Sequence, residues 1–136
     1  MQVLPHVDFF GTCEEAIEFY RTALGAKVES LSRYSDLHAD HEVPEELGHK
    51  VHFATLRIGE GLLTCGDVML EPIDHGGHSI LLVVDSPEQA QHLSDALSSG
   101  DGTVHFDLRE TSGGDQAAGV YDKFGVRWYF HVPTDD

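Results

Sequence analysis

Two histidines occupy matching places in this chain: His6 heads the short run HVDFF, and His78 heads SILLVV. An imidazole at such a site can hold a divalent ion or relay a proton. It can also simply hydrogen-bond locally at a strand start. Glu110 ends the run TVHFDLRE and is the carboxylate placed to act as a general base, with an exposed strand-end glutamate as the plainer reading. No serine sits in a strained nucleophile elbow, and no paired carboxylates suggest glycoside hydrolysis. The glycine-rich stretch SGGDQAAG, residues 112–119, lacks the Gly-Lys-Ser/Thr ending of a phosphate cradle and reads as a hairpin loop.

The elements that must position these residues repeat. After the first strand, Thr12 and Glu15 form a capping-box pattern. Ala16, Phe19, Tyr20, Ala23 and Leu24 follow at helical spacing and Gly25 supplies a left-handed stop, so the pattern predicts a helix over 13–24. In the second half, Ser86 is the N-cap, Pro87 fits the first helical position and Gln89 completes the box. Ala90, Leu93 and Leu97 trace the apolar stripe, and Gly100 can close the helix. His6 and His78 are 72 residues apart and Ala16 and Ala90 are 74 apart. Each half continues in three strands, KVESLSRY, VHFATLRIG and GLLTCG in the first, TVHFDLRE, GVYD and VRWYFHV in the second, with turns at Gly59 and Gly125. Strand, helix and three strands therefore occur twice. The expectation is a single α+β domain of two βαβββ modules, about 1–70 and 75–136.

A sheet whose own helix covers one face must bury or use the other, so the two modules are expected to form a curved mixed sheet with a concave cup. Trp128, Phe130 and Val132 alternate with Arg127, Tyr129 and His131, giving one helix-packed face and one polar face. We assign the polar face to the cup as a substrate pocket, together with His6, Asp8, His78 and Ile80.

Composition narrows the partners. With 136 residues, 40% of them apolar, the chain has material for one folded core. Eight Lys and Arg face 24 Asp and Glu, a net charge of −16 with no basic stripe, which argues against nucleic acid and anionic membranes and favours a small-molecule ligand. The N-terminus has no signal-peptide pattern and no run is long enough to span a bilayer, so the cytoplasm is the expected compartment. Cys13 and Cys65 are no disulfide framework and are expected to be reduced and buried. Residues 34–50, with His38, His41, His49 and many acids, read as a solvated loop rather than a metal-binding lid.

The tandem arrangement resembles the vicinal oxygen chelate superfamily, which includes glyoxalases, bleomycin- and fosfomycin-resistance proteins and extradiol dioxygenases. The stretches FFGTCEEAIEFYRTALGA, ATLRIGEGLLTCGD and RETSGGDQAAGVYDKFGVRW resemble its PhnB-like branch, and the likeness runs over essentially the whole chain. It implies the glyoxalase/bleomycin-resistance fold and a homodimer. It also implies, for metal-dependent members, histidine ligands on the opening strands and glutamates on the closing ones. His6 and His78 match the opening positions. Tyr129 stands where one glutamate would be, and Leu63 or Thr64 where the other would be. Cys65 and His131 lie two residues further on and are the side chains that could complete a metal site with the two histidines. Where PhnB-like chains often carry an aromatic pair, this one has Ser112 and Gly113.

Three functions follow as expectations. The first is a dimeric cup that binds a small, partly apolar molecule without a cofactor. The second is a lyase, isomerase or dioxygenase in which His6 and His78, with Cys65, His131 or Tyr129, hold a divalent metal ion. The third is an interaction dimer whose cup is closed by side chains.

Overall fold

The computed structural model describes residues 1–37, 44–68 and 77–134. The chain divides into two compact units, Met1–Asp74 and His75–Asp136. The first contains β1 (His6–Phe9), α1 (Cys13–Leu24), β2 (Lys27–Arg33), β3 (Val51–Ile58) and β4 (Gly61–Asp67). The second repeats the order with β5 (Ile80–Val83), α2 (Pro87–Leu97), β6 (Thr103–Glu110), β7 (Gln116–Tyr121) and β8 (Arg127–Val132). Each unit has one four-stranded mixed sheet, ordered β1-β4-β3-β2 and β5-β8-β7-β6. The first strand of each pairs in parallel with the last, and the other neighbours are antiparallel. Between β2 and β3 lie two short 3-10 turns, Tyr34–Asp36 and Glu45–Leu47. His38 and His41 fall outside the described residues.

Helix α1 buries Cys13, Ala16, Ile17 and Tyr20 and closes at Gly25, whose φ of 68° is the left-handed conformation a helix stop requires. Its start departs from the capping box read at Thr12 and Glu15. Thr12, at φ −113° and ψ 14°, lacks the extended backbone that turns a cap side chain toward the first turn, and it makes no side-chain cap bond. Asp67, at the end of β4, supplies the acceptor instead: its Oδ1 takes the N–H of Gly11 at 2.8 Å and of Cys13 at 3.0 Å. The carboxylate also complements the positive end of the helix dipole.

Helix α2 caps locally, as expected at Ser86, whose Oγ accepts the Gln89 N–H at 3.1 Å. Gln89 Oε1 reaches back to the N–H of Asp85, one residue before the cap. The helix stops at Leu97, before Gly100. Ser98 and Ser99 there donate their hydroxyls to the carbonyls of Ser94 and Ala96, satisfying acceptors that a further helical turn would have used.

In each unit the helix-side face of the sheet is the core. Leu56, Leu63 and Cys65 are buried in the first, and Val120, Trp128, Phe130 and Val132 in the second. Each large buried side chain contributes about 1.5–3 kcal/mol by leaving water. Trp128 also needs a partner for its indole N–H, and buried Asp122 provides it at 2.8 Å while accepting the backbone N–H of Phe124 and Val126. The stretch 112–119 is only partly a hairpin loop: the turn closes with Thr111 N–H to Asp115 carbonyl, and β7 begins at Gln116. No described helix is long and apolar enough to cross a membrane.

Candidate functional site

The face of each sheet turned away from its helix is where side chains are free to meet a ligand. In the first unit the register sets His6 beside Thr64, so the two share this open face. Thr64 donates its hydroxyl hydrogen to the Pro5 carbonyl at 3.1 Å, and His6 Nδ1 therefore donates to Thr64 Oγ1, at 2.7 Å. His6 Nε2 faces Asp8 Oδ1 at 3.0 Å, and the ring stacks on Phe53 at 5.6 Å between centroids. Each ring nitrogen thus has a hydrogen-bond partner in the protein.

Cys65 stands on the other side of the same sheet, in register with Val7 rather than His6. It is fully buried beneath α1 against Cys13. A hydrogen bond to Cys65, reinforced by burial, pushes the Cys13 thiol up, which keeps it protonated and unreactive. Tyr34 closes this end of the sheet by donating its hydroxyl to the Asp67 carbonyl at 2.6 Å, and burial pushes that phenol up as well.

The second unit differs from the expected symmetry at its opening strand. His78 is exposed and lies two residues ahead of β5. Ile80 pairs with Trp128 and so belongs to the helix side, not to the open face. The open-face residues of β5 are Leu81, beside Tyr129, and Val83, beside His131. The physical reason is the spacing: the helices recur at 74 residues and the histidines at 72, which leaves His78 short of the strand.

Across this open face run two rows. Phe106, Gly119, Tyr129 and Leu81 form one, and Arg109, Ala117, His131 and Val83 the other. The Phe106 ring lies directly over Gly119, where a Cβ would meet its Cε1 at 2.6 Å, and is 5.6 Å from the Tyr129 ring. The Arg109 guanidinium lies over the Phe106 ring, 4.5 Å from its centroid. His131 Nε2 meets Asp115 Oδ2 at 2.6 Å, and that bond, with the Thr134 N–H, holds the Asp115 carboxyl below the usual range. Glu110 is exposed at the strand end. It pairs with Gln116, which pairs with Val132, so it shares the helix-side parity and is not brought to Tyr129.

These placements decide what a divalent metal would find. Both His6 nitrogens are engaged by Thr64 and Asp8, Cys65 faces the helix side of the sheet, and His78 lies outside β5. Among the described residues, no group of three or more His, Cys, Asp or Glu side chains is arranged to hold one.

Residues 4–130 match the family model of the glyoxalase/bleomycin resistance protein/dioxygenase superfamily. The chain belongs to that superfamily. Protein PA1353 from Pseudomonas aeruginosa superposes with a TM-score of 0.82 at 29% identity, covering 99% of both chains. The PhnB protein from Bacillus cereus does so with a TM-score of 0.74 at 22% identity, covering 98% of this chain and 100% of the other. Protein YjdN of Escherichia coli strain K12 is 24% identical over 97% of this chain and 95% of its own length. The duplicated unit and its mixed sheet are therefore those of the glyoxalase/bleomycin-resistance fold, with PhnB-like neighbours.

Several residues that shape the site escape a reading by pattern. Thr64 and Asp67 act on partners 58 and 54 residues away. Phe106 and Arg109 share a face only because bulges in β6 reset the alternation. The one available signal was the glycine at 119, which the packed Phe106 ring requires.

Proposed function

We propose that this protein binds a small, partly apolar molecule on the open face of its second sheet and does so without a metal ion. The observation that supports it is the character of that face. Leu81 and Val83 are 53% and 64% exposed, on the same face as the aromatic pair Phe106 and Tyr129, in a chain of net charge −16. Exposed aliphatic side chains next to aromatic rings are what a ligand with an apolar body needs. The commitment of both His6 nitrogens supports binding over metal-dependent turnover. In this reading the two units form one domain, and the chain works as a homodimer in the cytoplasm.

The test is thermal unfolding of tag-free, chelator-treated protein across a metabolite panel, with light scattering to give the oligomeric state. A ligand-induced rise in Tm that survives chelation is expected. Turnover that appears only when a divalent metal is added would overturn the proposal.

A further inference from the structure

Arg127 opens β8 on the open face of the second sheet, directly across from Tyr121 on β7. Tyr129 is the next residue along the same face of β8. Arg127 is half-buried, and its Nε is fully shielded from solvent with no hydrogen-bond acceptor. The phenol groups of Tyr121 and Tyr129 likewise have no hydrogen-bond partner among the described residues. Three donors without a protein acceptor therefore occupy neighbouring register positions on one face.

Charge makes this unusual. The chain has eight cationic residues against 24 acidic ones, so a carboxylate partner is easy to find. Arg21, Arg33 and Arg57 have such partners in Glu18, Glu14 and Glu29. Arg109 and Arg127 have none among the described residues; Arg109 lies over the Phe106 ring, whereas Arg127 has a shielded nitrogen with no acceptor. A partly desolvated guanidinium without an anion is costly, and a planar oxyanion matches its fork of donors. The ring system that would accompany such an anion also has its place: Tyr129 lies against Phe106, and His105 packs edge-on to Tyr121 at 5.5 Å.

We infer that the ligand of this face is an aromatic oxyanion, its carboxylate or phosphate held by Arg127 with Tyr121 and Tyr129 and its ring set beside Tyr129 and the exposed Leu81. This rests on the binding function proposed above and names its ligand class. Both anion types share the recognising chemistry.

Calorimetric titration of chelator-treated protein with benzoate, phenyl phosphate and neutral benzyl alcohol tests it. The anions are expected to bind roughly tenfold or more tighter than benzyl alcohol, the scale of one charge-assisted hydrogen bond. Preference for one anion over the other identifies the group. Arg127→Gln, with its circular dichroism unchanged, should lose that margin while leaving benzyl alcohol binding as it was. Tyr121→Phe, which removes one donor and keeps the ring, should lose part of it. Equal affinity for anions and benzyl alcohol, or an Arg127→Gln variant that keeps the margin, overturns the inference and leaves small-molecule binding standing. Failure of all three probes to bind overturns it too, and the proposed function then falls only if the metabolite panel is also silent.

Discussion

The open faces of the two sheets have the same topology and opposite chemistry. On the first, the polar side chains satisfy one another: Thr64 is held by Pro5, His6 by Thr64 and Asp8, and Phe53 lies under the imidazole. On the second, aliphatic side chains stand exposed on β5, and Arg127, Tyr121 and Tyr129 keep their donors unspent. The strand order and the helix-packed core are the same in both units. What the sheets present is not. Buried packing tolerates few arrangements, whereas an open face can change residue by residue at little cost in stability.

The sharpest way to break this contrast is through the helix starts, since the first unit caps α1 from a distance and the second caps α2 locally. Asp67→Ala strands the N–H groups of Gly11 and Cys13 in a buried site and is expected to cost about 2–4 kcal/mol in urea unfolding. Loss of less than that would mean that water or Thr12 takes over. Thr64→Val removes the link between Pro5 and His6, with an expected cost of about 1–2 kcal/mol and no change in benzoate affinity. A fall in benzoate affinity in this variant would show that the first face also binds ligand. Ser86→Ala should cost about 1 kcal/mol, the usual value of a local cap.

The smallest effect is a dependence on pH. The bond from His131 and the Thr134 N–H depress the folded-state value of Asp115, so its contribution is complete above the ordinary 3.8 and disappears as pH falls through the lower folded value. The difference in Tm between the native chain and Asp115→Asn should therefore shrink as pH falls below 3.8. A difference that does not shrink below pH 3.8 would mean that the pair is not made in solution.

Much of the fold is legible in the sequence because it rests on local rules. The stripe from Ala16 to Leu24 and the glycine after it fix α1, and the alternation of Trp128, Phe130 and Val132 marks the buried face of β8. The site is less legible, for identifiable reasons. A distant carboxylate outcompetes Thr12 as cap, and nothing in the neighbourhood of Thr12 announces it. The histidine repeat misleads because similarity of position to within two residues is not equivalence of face: a strand reverses its side chains at every residue, and His78 does not reach β5. Cys65 follows the same rule, since one step from Thr64 carries it beneath the helix. Bulges hide the shared face of Phe106 and Arg109 from any count by twos.

The central claim is that binding here needs no metal because the protein itself occupies both His6 nitrogens. Elemental analysis of tag-free protein, dialysed in turn against zinc, nickel and manganese and then against buffer, tests it most directly, with His6→Ala analysed alongside. The account predicts no stoichiometric metal in either protein after any dialysis. One equivalent of metal per chain that disappears in His6→Ala would contradict it.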